Sequence, residues 1–174
     1  ISFLALSKAR KHGLEMLTQG DILQLPFLSN SIDRVFEVGV VEHLYTFDPF
    51  LGDVVNRKAI VDSFVELRRV LKKDGKVGFI QPSRHSSLSL SKKIDILNGT
   101  WQMGFQEDFA INDFCQLLSI AGFHEIRYSV LQAPIDFPLR VRIFDKVIKA
   151  FYLATGDYGR AEFVGALFSV TAQK

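Results

Sequence analysis

The chain has one cysteine, Cys115, among 174 residues. It therefore permits no internal disulfide and matches no metal-ligand spacing, so no metal is expected and a reducing, cytoplasmic setting is the default. Long apolar runs are also missing. None approaches the roughly eighteen residues that span a bilayer, so no transmembrane segment is expected. The residues before Lys8 have neither a charged start nor a cleavage-like site, which argues against a signal peptide. A dominant charge is lacking too: Lys+Arg is 21 and Asp+Glu is 19. Nucleic-acid binders concentrate basic residues in a stripe, so no nucleic-acid partner is expected beyond a local patch. Tryptophan occurs once and methionine twice, against sixteen Phe. With 48% hydrophobic residues, that composition builds one aromatic core. No repeat, low-complexity tract or linker divides the chain, so residues 1–174 read as one domain. The first residue is Ile and leads straight into an apolar segment, which suggests that the N-terminus is missing.

Residues 2–12 read as a helix that Ser2 can cap and Gly13 stops. Leu14 to Thr18 is a strand candidate ending at Gly20-Asp21, and Ser29, Asn30 and Ser31 form turns. Ile32 to Val41 is rich in β-branched residues and reads as a mostly buried strand. Ile60, Val61, Phe64, Leu67, Val70 and Leu71 recur at helical spacing over residues 58–72, with cations at the helix end. Lys76 to Gln81 is the next strand, stopped by Pro82. Strand, helix, strand predicts a parallel pair. Further on, Asn112 to Ala121 reads as a helix capped by Asn112 and stopped by Gly122. Glu125 to Leu131 and Gly165 to Ala172 read as strands, with a helix over 139–154 between them.

The order of these marks resembles class I S-adenosylmethionine-dependent methyltransferases. Gly20-Asp21, Leu25-Pro26-Phe27, Ile32-Asp33-Arg34-Val35 and Val41-Glu42-His43-Leu44 resemble the family's "GD…LPF", its "FD-x-V" strand and the Glu-His that follows. Glu66 to Gly75 (ELRRVLKKDG) resembles its "E-x-x-RVLKPGG" helix end, with Lys73-Asp74 where Pro-Gly is usual. Ala121-Gly122-Phe123 resembles its "AGF", and Ile1-Ser2 with Ala9-Arg10 its "D-I-S…A-R" helix. The family's first strand, glycine-rich loop and ribose-binding acid would all lie before Ile1. The resemblance therefore implies a partial class I methyltransferase domain over 1–174. Its fold is α/β, a Rossmann-like methyltransferase sheet, mostly parallel with an antiparallel C-terminal strand and lacking the first two strands. Residues 14–18 and 32–41 would then either flank an empty slot or pair directly.

The implied cofactor is S-adenosylmethionine. By resemblance the Asp21 carboxylate accepts from the adenine amino group and the Ile22 N–H serves a ring nitrogen; the plain alternative is that Asp21 starts a turn. Val38 and Gly39 would face the methionine end, since open α/β sheets bind ligands beyond the carboxyl ends of their strands. A bulge or tight packing would also explain Gly39. Leu25 and Phe27 are candidates to pack on adenine or simply to fill the core. His43 stands where a substrate proton could be removed, a role suited to its pKa range or else replaced by a structural one. Arg84 could clamp an anionic substrate or sit in a solvated loop. The aromatic segments Tyr45 to Phe50 and Trp101 to Phe109 lack strand or helix period and are the candidate lid. Arg140, Arg142, Lys146 and Lys149 beside an apolar stripe could rest on an anionic membrane, or the stripe could pack on the sheet. The implied activity is methyl transfer to an O, N or C nucleophile of a small or medium-sized acceptor, a small molecule or one of lipid or sugar type. The alternative from another class is an inactive methyltransferase-like binding or scaffold module.

Overall fold

The computed structural model describes residues 3–102, 104–131, 143, 146–147, 149–150, 153–154 and 167–174. Helix α1, Phe3–Lys11, ends at Gly13, whose φ of +84° needs a residue without Cβ. The Ser2 cap lies outside the described residues. The strand expected over residues 14–18 does not form. A strand is held by the ladder of its neighbour, and no described strand runs beside this segment. Leu14 and Met16 are accordingly exposed.

Strand β1, Ile32–Val38, stops three residues short of Val41. Gly39 takes φ +70° and turns the chain into a single 3-10 turn, Val41–His43. The aromatic segment after it is a hairpin, which corrects its reading as aperiodic. β2, Tyr45–Asp48, pairs antiparallel with β3, Gly52–Val55, and Asp48 closes the turn by accepting from the N–H groups of Phe50 and Leu51. Helix α2, Arg57–Val70, is capped by Asn56, whose side chain accepts from the Ala59 N–H at 2.9 Å. It buries Ile60, Phe64, Leu67 and Val70, the stripe the spacing predicted.

β4, Leu71–Pro82, follows α2 directly and starts five residues before Lys76. The Lys73-Asp74-Gly75 turn lies within it. Asp74 has φ +61°, and a Cβ on Gly75 would meet the Lys72 carbonyl at 2.9 Å. Helix α3, Ser87–Leu97, was not expected; Ser86 caps it through the Ser89 N–H. Helix α4, Ile111–Ile120, starts after Ala110, with no side-chain cap, so Asn112 is not its cap. Gly122, φ +88°, ends it as expected. The helix expected over 139–154 lies almost entirely outside the described residues. β5, His124–Leu131, and β6, Leu167–Gln173, complete the sheet.

The strand order is β1-β4-β6-β5. β1 and β4 are parallel, from Arg34 opposite Lys76 to Val38 opposite Ile80, and β6 runs antiparallel to both β4 and β5. This is the mostly parallel sheet with one reversed C-terminal strand that the resemblance implied. α2 and α4 cover one face with an aromatic core. The Phe114 ring lies 5.2–5.6 Å from those of Phe64, Phe79, Phe109 and Phe168, every pair edge-on, the preferred geometry for aromatic quadrupoles. Among the described residues no helix is long and apolar enough to cross a membrane.

Candidate functional site

Among the described strands β1 pairs only with β4, and a cleft of about 580 Å³ lies between β1, residues 18–27 and the α2 residues Leu67 and Val70. Residues 14–18 do not pair with β1, and Thr18 is part of the cleft wall. The outer wall is the segment from Gly20 to Phe27, and the inner wall runs along β1 to Glu37 and Val40. Helix α2 fixes the outer wall. The Leu25 N–H donates to Glu66 Oε1 at 2.7 Å, and Arg69 Nη2 donates to the carbonyls of Leu25 and Phe27. Glu66 and Arg69 are paired at 2.7 Å, and that hydrogen bond holds the Glu66 carboxyl below the usual carboxylate range. The Glu-x-x-Arg spacing of the sequence thus positions a loop, a role that spacing alone did not reveal.

Asp21 and Ile22 both line this cleft. Asp21 also starts a turn, with one carboxylate oxygen accepting from the Leu23 N–H at 2.9 Å. Val38 and Gly39 lie at the end of β1 between Glu37 and Val40, the two residues that line the cleft there. The left-handed φ of Gly39 is the local reason for glycine, and a Cβ would approach Glu42 Oε1 to 3.3 Å.

At the carboxyl ends of β1 and β4 the polar side chains of Glu37, Gln81 and Glu42 are buried, as is the hydroxyl-bearing Ser83. Glu37 Oε1 accepts from the N–H groups of Val40 and Val41, and Gln81 Nε2 donates to Glu37 Oε2 at 2.5 Å. Among the described residues, Gln81 Oε1 and Glu42 Oε2 are buried without a donor. Burial and, next, the nearby Glu42 charge push the Glu37 carboxyl up to about 7. Burial likewise raises that of Glu42. Two carboxyls removed from water and close to each other cannot both ionise cheaply. Sequence reading missed this cluster.

His43 is half-buried, and its Nδ1 donates to the Phe105 carbonyl at 2.6 Å. A carbonyl only accepts, so Nδ1 carries the proton and Nε2 is the atom left to receive one. The Glu107 N–H donates to the Glu42 carbonyl, and the Tyr45 and Phe105 rings lie 5.2 Å apart. The Trp101–Phe109 segment is therefore latched to the turn after β1. Beside it a second cleft, about 350 Å³, lies between β3, α3 and this segment. Its floor holds the Lys92–Asp108 ion pair, 2.6 Å long and buried on both sides. Arg84 does not present an open clamp. Its guanidinium pairs with Glu107 at 2.6 Å and Asp113 at 3.7 Å, and donates to the Asp108 carbonyl. Among the described residues no group of three or more His, Cys, Asp or Glu could hold a metal ion.

Residues 1–79 match the family model described as a methyltransferase domain. A methyltransferase candidate from Encephalitozoon cuniculi is 39% identical over 72 residues, a match spanning 41% of this chain and 30% of that protein. Solved structures share the fold at lower identity. An S-adenosylmethionine-dependent methyltransferase from Thermotoga maritima has a TM-score of 0.66 at 19% identity, covering 99% of this chain and 70% of that one. One from Archaeoglobus fulgidus has a TM-score of 0.60 at 15% identity, covering 99% and 80%. Phosphoethanolamine N-methyltransferase 2 from Haemonchus contortus, solved with S-adenosylmethionine, has a TM-score of 0.51 at 19% identity, covering 88% and 36%. Residues 1–79 thus match the methyltransferase-domain family model, and the chain shares the fold of S-adenosylmethionine-dependent methyltransferases of known structure.

Proposed function

We propose that residues 1–174 are part of a class I methyltransferase domain that uses S-adenosylmethionine to methylate an O, N or C nucleophile of a small or medium-sized acceptor, of lipid or sugar type among others. The observation that carries this reading is the cleft of about 580 Å³ between the Gly20–Phe27 wall and the end of β1, a volume in the range of cofactor sites. The cleft joins a carboxylate at one end to apolar walls, which suits an adenosine. Asp21 and Ile22 would hold the adenine, and Leu25 and Phe27 would pack on it. Val38 and Gly39 would border the methionine end. When bound, the cofactor supplies a methyl group made electrophilic by its sulfonium. What remains for the protein is to align the nucleophile and receive its proton. His43 Nε2 is the proposed acceptor of that proton, its ring aimed by the bond to Phe105. The second cleft, next to His43 through Phe105, is the proposed acceptor site. The lone Cys115 supports a cytoplasmic setting.

Calorimetry on the full-length protein tests the reading. S-adenosylmethionine binds, and Asp21→Ala loses a charged hydrogen-bond acceptor worth about 1.5–3 kcal/mol, about ten- to hundredfold in affinity. Unchanged affinity removes Asp21 from the site. Binding with no methyl transfer across an acceptor panel would make the protein a binding module.

A further inference from the structure

The buried Glu37–Gln81–Glu42 cluster is not needed to hold adenine or to remove a substrate proton, yet it occupies the inner end of the large cleft through Glu37. Its polarity is one-sided. Gln81 Oε1 adjoins the Glu37 carboxyl through its own amide and has no donor, and Glu42 Oε2 has none either. Both residues are at least nine-tenths buried. One orphaned amide oxygen and one orphaned carboxyl oxygen thus lie beside the Glu37 carboxyl at the ends of β1 and β4, and a buried acceptor without a donor is costly. Of the three, Glu37 lines the cleft, so a positive charge there would act on its carboxyl and favour the ionised form.

We propose that this cluster reads the charge of the ligand's sulfur, favouring the cationic sulfonium of S-adenosylmethionine over the neutral thioether of its demethylated product. The inference rests on the cofactor occupying the large cleft. In the transfer, the nucleophile's lone pair forms the bond to the methyl carbon. The carbon–sulfur bond breaks with its electron pair staying on sulfur, so the sulfur loses its charge while the nucleophile's proton leaves to a base or to water. A site that stabilises the charged form binds substrate tightly and loosens its hold once the reaction has run.

Among the described residues, the charged and titratable groups around Glu37 are few. Arg34 on β1 and Asp21 on the turn line the same cleft, Glu42 and His43 follow on the 3-10 turn, and Gln81 faces it from β4. Beyond Glu42 stand Lys92 and Asp108, which neutralise each other. Glu37 is thus the member at the cleft wall that carries a proton near neutrality, its carboxyl pushed up to about 7. A cation nearby lowers that value and expels the proton.

The test is calorimetry on the full-length protein at about pH 7, in phosphate and in Tris, whose different ionisation heats count the protons exchanged. The two probes are S-adenosylmethionine and S-adenosylhomocysteine. If a bound sulfonium lowers the Glu37 value by about one pH unit, about 0.4 proton is released, and affinity for S-adenosylmethionine rises about fivefold between about pH 6 and about pH 8. The thioether releases none, and its affinity stays flat. Glu37→Gln keeps an acceptor for the two turn N–H groups; it abolishes the release and narrows the affinity ratio between the two ligands. Equal release by both ligands, or none by either while both bind, overturns the proposal. Binding of neither overturns the cofactor-cleft reading instead. The proton count on the unaltered protein decides the matter even where Glu37→Gln prevents folding.

Discussion

Replacing Glu37 by Gln should make the fold less sensitive to alkali. A carboxyl raised from 4.5 to about 7 is bound to its proton more firmly in the folded chain than in the unfolded one. The sign follows from linkage. Between those two values the native state holds more protons than the unfolded state, so stability is fullest below about pH 4.5 and is lost as pH rises through about 7. The interval corresponds to about 3 kcal/mol as an upper figure, because the nearby Glu42 carries part of it. Glutamine is nearly isosteric, and its carbonyl can keep the bonds from Val40 and Val41. A rotated Gln81 amide can then offer its oxygen to the new NH2 group. Urea unfolding from about pH 5 to about pH 9 reads the effect. Across that range the parent chain should lose on the order of 1–3 kcal/mol more stability than Glu37→Gln does. Equal slopes for the two proteins, or a substituted protein that is the weaker of the two at about pH 9, would refute the account of Glu37 as a buried, proton-holding group.

Other substitutions probe other links. Phe114→Ala removes the ring that touches four others, and thermal unfolding should show a loss of about 3–5 kcal/mol. Asp108→Asn leaves Lys92 buried without its counter-charge and should cost about 3–5 kcal/mol in urea unfolding, while Lys92→Met with Asp108→Leu recovers much of that. Asn56→Ala removes the cap of α2 and should cost about 1 kcal/mol in denaturant unfolding.

The parts of the fold legible in the sequence were those with one dominant periodicity. The stripe Ile60, Phe64, Leu67 is the buried face of α2, and the apolar run from Val77 to Ile80 is an inner strand paired on both sides. Misreadings arose where a neighbour decides. Leu14 to Thr18 has only Thr18 of a strand-favouring type and no described partner, so nothing holds it extended. The β2–β3 hairpin is set by pairing and by Asp48, and its four-residue strands are too short to show a period. Helix α3 depends on Ser86, in a serine-rich stretch that reads as loop until its cap is seen. Asp21 and Ile22 were named through the resemblance of Gly20-Asp21 to a family motif, and both line the large cleft. The Glu37–Gln81 contact joins residues 44 apart and exists only in the register that sets Val38 against Ile80.

That same sheet has a consequence for the order in which the molecule can assemble. β6 follows β5 in the chain yet lies between β4 and β5. On a ribosome, β5 therefore emerges with no place to dock, because the slot beside β4 belongs to residues still to be translated. Until Leu167–Gln173 arrive, the inner edge of β4 stays unpaired and Phe114 lacks the ring of Phe168. A nascent chain halted before residue 167 should expose both, which makes it a target for chaperones and prone to pairing with other strand edges. The last strand acts as a keystone: the arch bears no weight until it is set.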